Sequence, residues 1–560
     1  MVGQKKWNID IKWIVILAIV AFLLIFEVFP LFYLLIKSLF SGGSFSWEAY
    51  RRVYTYDLNW IALKNTIITA GFTTILGVAI AFPLAFLVGR TDMYGKKFFR
   101  TLFVVTYMVP PYVGAMAWLR LLNPNAGVLN RFLMKIFGLG TAPFNIYTTS
   151  GIVWVLTCFF YPYAFITISR AMEKMDPSLE EASRISGASP LKTLLKVTIP
   201  MMTPSIIAAG LLVFVASASA YGIPSIIGAP GQIYTVTMRI IDFVHIGSEE
   251  GLTDAMTLAV FLMLISNIIL YISTFVVGRK QYITMSGKST RPNIVELGKW
   301  RLPITIIISI FSFFVIILPF ITVAITSFTV NMGKPLTLSN LSLKAWEKVF
   351  SRASIISSTT NSFLTATAAA FFGILISCVM AYLLQRTNVK GKRIPDFLIT
   401  LGSGTPSVTI ALALIISMSG KFGINIYNTL TIMVIAYMIK YMLMGMRTVV
   451  SAMSQVHPSL EEAAQISGAN WLRMLKDVTL PLIGASIVAG IFLIFMPSFY
   501  ELTMSTLLYS SNTKTIGYEL YIYQTYHSQQ VASALATAIL LFVILVNYIL
   551  NKLTKGQFSI

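Results

Sequence analysis

Lys440 in "AYMIKYMLMG", Glu501 in "MPSFYELTMS" and Glu27 in "LIFEVFPLF" each place a charge inside a long apolar run. A charge in such surroundings is costly and marks a functional candidate by default. Lys440 and Glu501 have opposite signs and could pair, either as a structural salt bridge or beside a solute path. Glu27 precedes Pro30 and could sit at a kink or near the outer boundary. Asp242, Glu249, Glu250 and Asp254, with Tyr518, Tyr521 and Tyr523, offer oxygen donors that suit a hard cation. Tyrosines also gather at membrane interfaces, however, and acids also solvate loops. His245, His457 and His527 are scattered and suggest no metal cluster, so a metal-ligand set is unknown. Cys158 and Cys378 both fall in apolar runs, which implies no disulfide framework. "YITMSGKST" contains Gly287-Lys288-Ser289 but has Tyr282 where a phosphate-binding loop needs its first glycine. No nucleophile, base and orienter come together in the sequence, which argues against a catalytic membrane site.

The most conspicuous polar stretch is "DPSLEEASRISGASPLKTLLKVTIP", Asp176 to Pro200, and it recurs as "HPSLEEAAQISGANWLRMLKDVTLP", His457 to Pro481. Glu180 and Glu461, Glu181 and Glu462, Ala182 and Ala463, and Gly187 and Gly468 are all 281 residues apart, with no gap. Asp176 can cap a helix that Pro177 begins, that runs through Leu179, Ala182 and Ile185 as an apolar stripe, and that stops at Gly187. Ser189 and Pro190 start a second short helix, and Pro200 ends the connection. An amphipathic helix held beside a membrane is suited to another protein's groove.

The elements that must carry these residues are membrane spans. With 56% hydrophobic and 11% charged residues among 560, the chain is too apolar for a soluble domain of this size. Its apolar runs reach the length of about 20 residues that crosses a bilayer. Twelve are predicted, each a helix because a bilayer leaves no water for stray backbone groups. The first six are Lys12 to Lys37, Ile61 to Val88, Phe99 to Leu121, Gly151 to Ile168, Pro204 to Ile223 and Ala255 to Val277. The second six are Leu302 to Ser327, Asn361 to Leu384, Ile394 to Met418, Thr429 to Met446, Leu482 to Thr503 and Val531 to Leu550. The first has no small-residue cleavage site after it and is expected to remain as a helix. Most of the 42 Lys and Arg fall in alternate loops if the N-terminus is cytoplasmic, which satisfies the positive-inside rule and puts both termini inside. That dispersal also accounts for the net charge of +21 without a nucleic-acid partner.

Further pairs extend the repeat: Asn65 with Asn361, Arg90 with Arg386 and Gly95 with Gly391 at 296 residues, and Pro30 and Pro319, each followed eight residues later by Ser38 and Ser327. Six spans per repeat keep the same orientation, so the halves are parallel repeats with a site expected between them. The expected division is an N-terminal tail, first helix and outer loop (1–57), a first transmembrane domain (58–278), a cytoplasmic hinge (279–301), a seventh helix with its outer loop (302–355) and a second transmembrane domain (356–552). "GIPSIIGAPGQIYTVTMRIIDF" and "STLLYSSNTKTIGYELYIYQTY" are expected as long outward connections.

The paired stretches resemble the permease subunits of ATP-binding-cassette importers, whose signature is Glu-Ala-Ala, three residues, Gly, nine residues, then aliphatic, any, aliphatic and Pro. It reads here as Glu181-Ala182-Ser183, Gly187 and Val197-Thr198-Ile199-Pro200, and again as Glu462-Ala463-Ala464, Gly468 and Val478-Thr479-Leu480-Pro481. Ser183 for the second Ala is the one departure. The resemblance implies an all-α integral membrane protein of the type I importer permease fold in a bacterial cytoplasmic membrane. It implies that Glu180, Glu181, Ala182 and Gly187, with Glu461, Glu462, Ala463 and Gly468, form coupling helices on two copies of a separate ATPase. ATP and Mg would bind that ATPase and no cofactor this chain, while an extracytoplasmic binding protein would deliver the solute. Two fused halves look most like the ferric iron branch; related branches carry polyamines, phosphonates, thiamine or sulfate. An ion-driven secondary transporter is the rival from another class, since parallel repeats occur there too, but such a carrier needs no ATPase dock.

Overall fold

The computed structural model describes residues 11–41, 44–175, 178–279, 294–332, 334 and 337–553. Asp176, Pro177, Tyr282 and the Gly287-Lys288-Ser289 fragment lie outside them, as does most of the expected hinge. Apart from a two-residue pairing of Phe40–Ser41 with Ser44–Phe45, the described elements are helices. Ten are long and apolar enough to cross a bilayer. Their outer faces carry Phe72, Ile75, Phe371 and Phe372, all more than half or nearly half exposed, a surface that hydrocarbon rather than water can satisfy.

The third span of each half differs from the expected straight helix. Lys96–Tyr107 turns by 103° into Pro111–Leu122, and Arg393–Gly404 turns by 108° into Ser407–Ser417. Proline is the reason: Pro110-Pro111 and Pro406 lack amide hydrogens, and each forces the residue before it out of the helical region. The bent pairs still cross. Arg90 and Glu180 are in contact, which puts the C-terminal ends of Asp57–Arg90 and Thr149–Lys174 on one face, so the chain between them must return to the other. Arg386 and Glu461 impose the same on the second half. Among the described residues, the ten helices and the two bent pairs together make twelve crossings, two of them broken.

The fifth span also departs from expectation. Its helix begins at Pro190, not Pro204, and the short second helix of the polar stretch runs straight into it through a π-turn at Leu194–Thr198. Leu475–Thr479 repeats this ahead of Pro481. Pro200 thus does not end the connection: widening the turn by one residue accommodates a proline that can neither donate nor tolerate a carbonyl one turn back. Leu24–Val28 before Pro30 and Phe313–Ile317 before Pro319 do the same in the first and seventh spans.

The two long connections are not outward loops. Val236–Ile246 and Ile516–Tyr526 are helices folded back into the protein, burying Val236, Met238, Ile240 and Ile241 in one and Ile516, Tyr518, Leu520 and Tyr523 in the other. Their first amides donate to Thr66 Oγ1 (3.0 Å) and Ser362 Oγ (2.8 Å). Asn65 donates to the Tyr234 carbonyl and Asn361 to those of Asn512 and Lys514, so the asparagine repeat seen in the sequence clamps these helices.

First spans are exchanged between halves. Ile16, Ile19 and Leu23 share a cluster with Met380, Leu398 and Met442, and Phe29 and Tyr33 meet Phe422 edge-on at 4.9 and 5.1 Å. Reciprocally, Phe320 and Phe311 of the seventh span meet Phe159 and Tyr161. The described end of the hinge is packed as well: Val295 donates to the Arg90 carbonyl at 2.8 Å, Leu297 to Asp92, and the Arg301 guanidinium lies 3.8 Å from the Tyr94 ring centre.

Candidate functional site

Two copies of one arrangement, at the same end of the spanning helices, dominate the chemistry. Ser178–Ile185 and Pro458–Ile466 are short helices, the second capped by His457 Nδ1 accepting from the Ser459 amide. Each turns at a glycine with φ of +84° (Gly187) or +88° (Gly468). A Cβ there would meet nothing within 4 Å, so glycine is required by the left-handed backbone and not by lack of space.

Neighbouring glutamates face opposite ways. Glu180 and Glu461 turn inward and are 9% and 7% exposed. Glu180 accepts from Thr198 at 2.7 Å and pairs with Arg90 at 3.3 Å, while Arg90 also donates to the Met172 carbonyl at 2.8 Å. Glu461 accepts from Thr479 at 3.1 Å and from Arg386 at 3.0 Å, and Arg386 also donates to the carbonyls of Met453 and Val456. A buried ion pair with further hydrogen bonds is costly to break by removing one partner. It ties the short helix to the second, fourth and fifth spans at once.

Glu181, Glu462, Ala182 and Ala463 face solvent. The apolar stripe is exposed too: Leu179 and Leu460 are about half exposed, and Ile185 and Ile466 are each 88% exposed. The same apolar side chains are thus exposed at equivalent places in both copies. The anchoring residues Arg90, Arg386, Thr198 and Thr479 were not singled out as a site from sequence. Their signal was available in the Arg90/Arg386 repeat and in the threonine shared by "VTIP" and "VTLP".

Within the membrane, Lys440 and Glu501 do not form a salt bridge. The Lys440 ammonium donates to the carbonyls of Ser403 (2.9 Å) and Thr405 (2.7 Å) at the corner of the second broken span. These belong to the last turn of Arg393–Gly404, where unsatisfied carbonyls favour a cation. Glu501 accepts from the amides of Met504 (2.7 Å) and Ser505 (3.1 Å). Glu27 lies on the first π-turn, 1% exposed, with its carboxyl against Gly402. Charge thus converges on one bend, and the repeat counterparts of Lys440 and Glu27, Phe159 in the first half and Ile316 in the second, are apolar. Lys440→Met is expected to leave two corner carbonyls unsatisfied, costing about 1–3 kcal/mol. A thermal unfolding scan of the detergent-solubilised protein should show a lowered midpoint, and an unchanged one would mean the ammonium does not hold the corner.

The acidic and tyrosine set disperses. Asp254 is taken up by Arg52 at 2.6 Å, an acceptor that holds the guanidinium above its ordinary pKa. Asp242 sits 3.7 Å from Arg239, and Glu249 and Glu250 are exposed. Tyr518 stacks on Tyr509, Tyr523 accepts from Arg352, and Tyr521 reaches Tyr221 at 3.3 Å. The three histidines are exposed, and no group of three or more His, Cys, Asp or Glu that could hold a metal occurs among the described residues.

Residues 81–281 and 373–556 match the family model described as binding-protein-dependent transport system inner membrane component. The chain is 27% identical over 520 residues, 90% of its length and 79% of the relative's, to the putative ferric transport system permease protein FbpB 1 of Haemophilus influenzae. It is 24% identical over 530 residues, 93% of its length and 95% of the relative's, to the Fe(3+)-transport system permease protein FbpB 2 of the same organism. Among solved structures, a chain of a bacterial alginate ABC transporter in complex with alginate pentasaccharide-bound periplasmic protein aligns with a TM-score of 0.40 and 18% identity, covering 50% of this chain and 96% of that one.

Proposed function

This chain belongs to the binding-protein-dependent transport system inner membrane components, and from that membership we propose that it is the permease of an ATP-driven importer whose cargo is ferric iron. The carrying observation is the pair of equivalent docking helices, each with an exposed isoleucine outside and a buried Arg-Glu-Thr anchor inside. Two copies of a cytoplasmic ATPase fit two such faces, Glu181 and Glu462 making polar contacts beside Ile185 and Ile466. Hydrolysis belongs to those copies, which carry ATP and Mg. An extracytoplasmic binding protein presents the cargo on the opposite side, and both termini are cytoplasmic. Ferric iron is supported by relatives whose names specify ferric transport and whose likeness runs through 90% or more of the chain.

In this mechanism, ATP-driven closure of the two ATPase copies moves the docking helices. The anchors carry that movement into the second, fourth and fifth spans, and the halves alternate access around the axis between them. Reconstitution of the chain with its ATPase and binding protein in proteoliposomes is expected to give ATP-dependent uptake of radioactive ferric iron that vanishes without the binding protein. Uptake sustained by an ion gradient with no ATPase present would overturn the importer reading.

A further inference from the structure

The repeat offset is 296 residues at Gly95 and 281 at Glu180, so the first half carries 15 extra residues between these points. Between its bent third span and its fourth, Val128–Phe137 forms a helix. The corresponding stretch of the second half, from Met418 to Thr429, holds none. Thr149–Lys174 runs from this connection towards Glu180, so the helix lies at the end of the bundle opposite the two short polar helices.

Asn130 holds it there. This residue is 1% exposed, donates to the carbonyls of Asn123 (3.0 Å) and Phe144 (2.8 Å), and accepts from the Phe144 amide at 3.2 Å. Asn123 directly follows Pro111–Leu122. Arg131 donates to the Met332 carbonyl at 3.2 Å, just beyond the end of Leu318–Thr326. The helix is thus clamped to the ends of two spans, where a bilayer meets water.

Its amphipathicity is inside out. Polar Asn130 faces the protein, while Val128, Phe132 and Ile136, four residues apart and so on one face, are 46%, 58% and 57% exposed. A surface helix in water shows the reverse arrangement. Phe137, Leu139 and Phe144 are exposed beside that face, and an apolar patch of this kind marks contact with protein or membrane. Two observations favour membrane. The loop that receives Arg131 exposes Phe328, Val330 and Leu341, so the patch continues into the apolar outer surface of the seventh span. Lys135 is exposed at the edge of the apolar face, from which an ammonium reaches phosphate headgroups. A binding protein that comes and goes would leave the same face in water for part of every cycle.

We propose that Val128–Phe137 lies in the plane of the membrane interface opposite the short polar helices, with Val128, Phe132 and Ile136 among the upper acyl carbons and Lys135 at the headgroups. It pins the outer arm of the first broken span to the bilayer. In the second half Phe422, packed on Phe29 and Tyr33, holds the equivalent place. The proposal goes beyond the importer reading and is independent of the cargo.

The test labels Phe132→Cys, Ile136→Cys and, as a water-exposed control on the preceding turn, Asn125→Cys with an environment-sensitive fluorophore. Label taken up by the unsubstituted chain is subtracted. The full chain is placed in vesicles of phosphatidylethanolamine and phosphatidylglycerol. The labels at 132 and 136 should emit to the blue of the control, be quenched by a nitroxide on an acyl carbon near the headgroup, and be quenched several-fold less by iodide, with or without the binding protein. Iodide quenching equal to the control would overturn the anchor. Shielding from iodide that appears only when the binding protein is added would assign the face to that partner and overturn the proposal, leaving the importer reading intact. Shielding from iodide without quenching by the nitroxide lipid would place the face against protein and also overturn it.

Discussion

Glu461→Ala is expected to reduce ATP-driven uptake to background while leaving the ATPase able to bind. The substitution strips Arg386 of its carboxylate partner in a setting where its side chain is 8% exposed, and breaking a buried pair from one side costs about 3–5 kcal/mol. The outer face with Ile466 is untouched, so docking persists while the link from the docking helix to the spans is lost. Hydrolysis measured beside uptake in proteoliposomes should therefore show ATP turnover without transport. Arg386→Met combined with Glu461→Leu should recover part of the uptake, because no charge is then left buried. Wild-type transport by Glu461→Ala would refute the anchor. Glu180→Ala should behave alike through Arg90, whose side chain is 2% exposed.

Ile185→Asp combined with Ile466→Asp is expected to have the opposite signature: the chain folds and stays in the membrane but no longer retains its ATPase. Both side chains are 88% exposed, so the free chain loses almost no packing. Burying a large aliphatic side chain is worth about 1.5–3 kcal/mol, which for the pair is about 3 kcal/mol or more and a hundredfold or greater loss of affinity. Co-purification of the ATPase with wild-type and double-variant chain measures it directly. Undiminished capture by the double variant would remove these helices from the dock. Glu181→Lys with Glu462→Lys should weaken capture through charge at the same face.

Much of this was legible in the residues. The 281-residue repeat located both short polar helices, their glycine corners and their equivalence, because a linear spacing survives folding unchanged. Spans were legible because bilayer crossing depends on length and apolarity, which are local. The bends were less so: Pro110, Pro111 and Pro406 were present in the sequence, but a proline in an apolar run can kink, widen or break a helix. Which one occurs depends on what receives the freed carbonyls. At Pro406 the group that donates to those carbonyls is Lys440, 34 residues away in sequence.

The sequence by itself determined the membrane class, the parallel repeat and the two equivalent polar stretches, since composition, period and motif need no partner to be read. Only the tertiary structure decided which glutamate of each adjacent pair faces inward and that Lys440 serves a broken helix end instead of pairing with Glu501. It also decided that the first spans exchange between halves. Each of these depends on groups far apart in the chain being brought to within about 3–5 Å, where hydrogen bonds, ion pairs and ring contacts act. Spacing along one strand of sequence does not encode those distances.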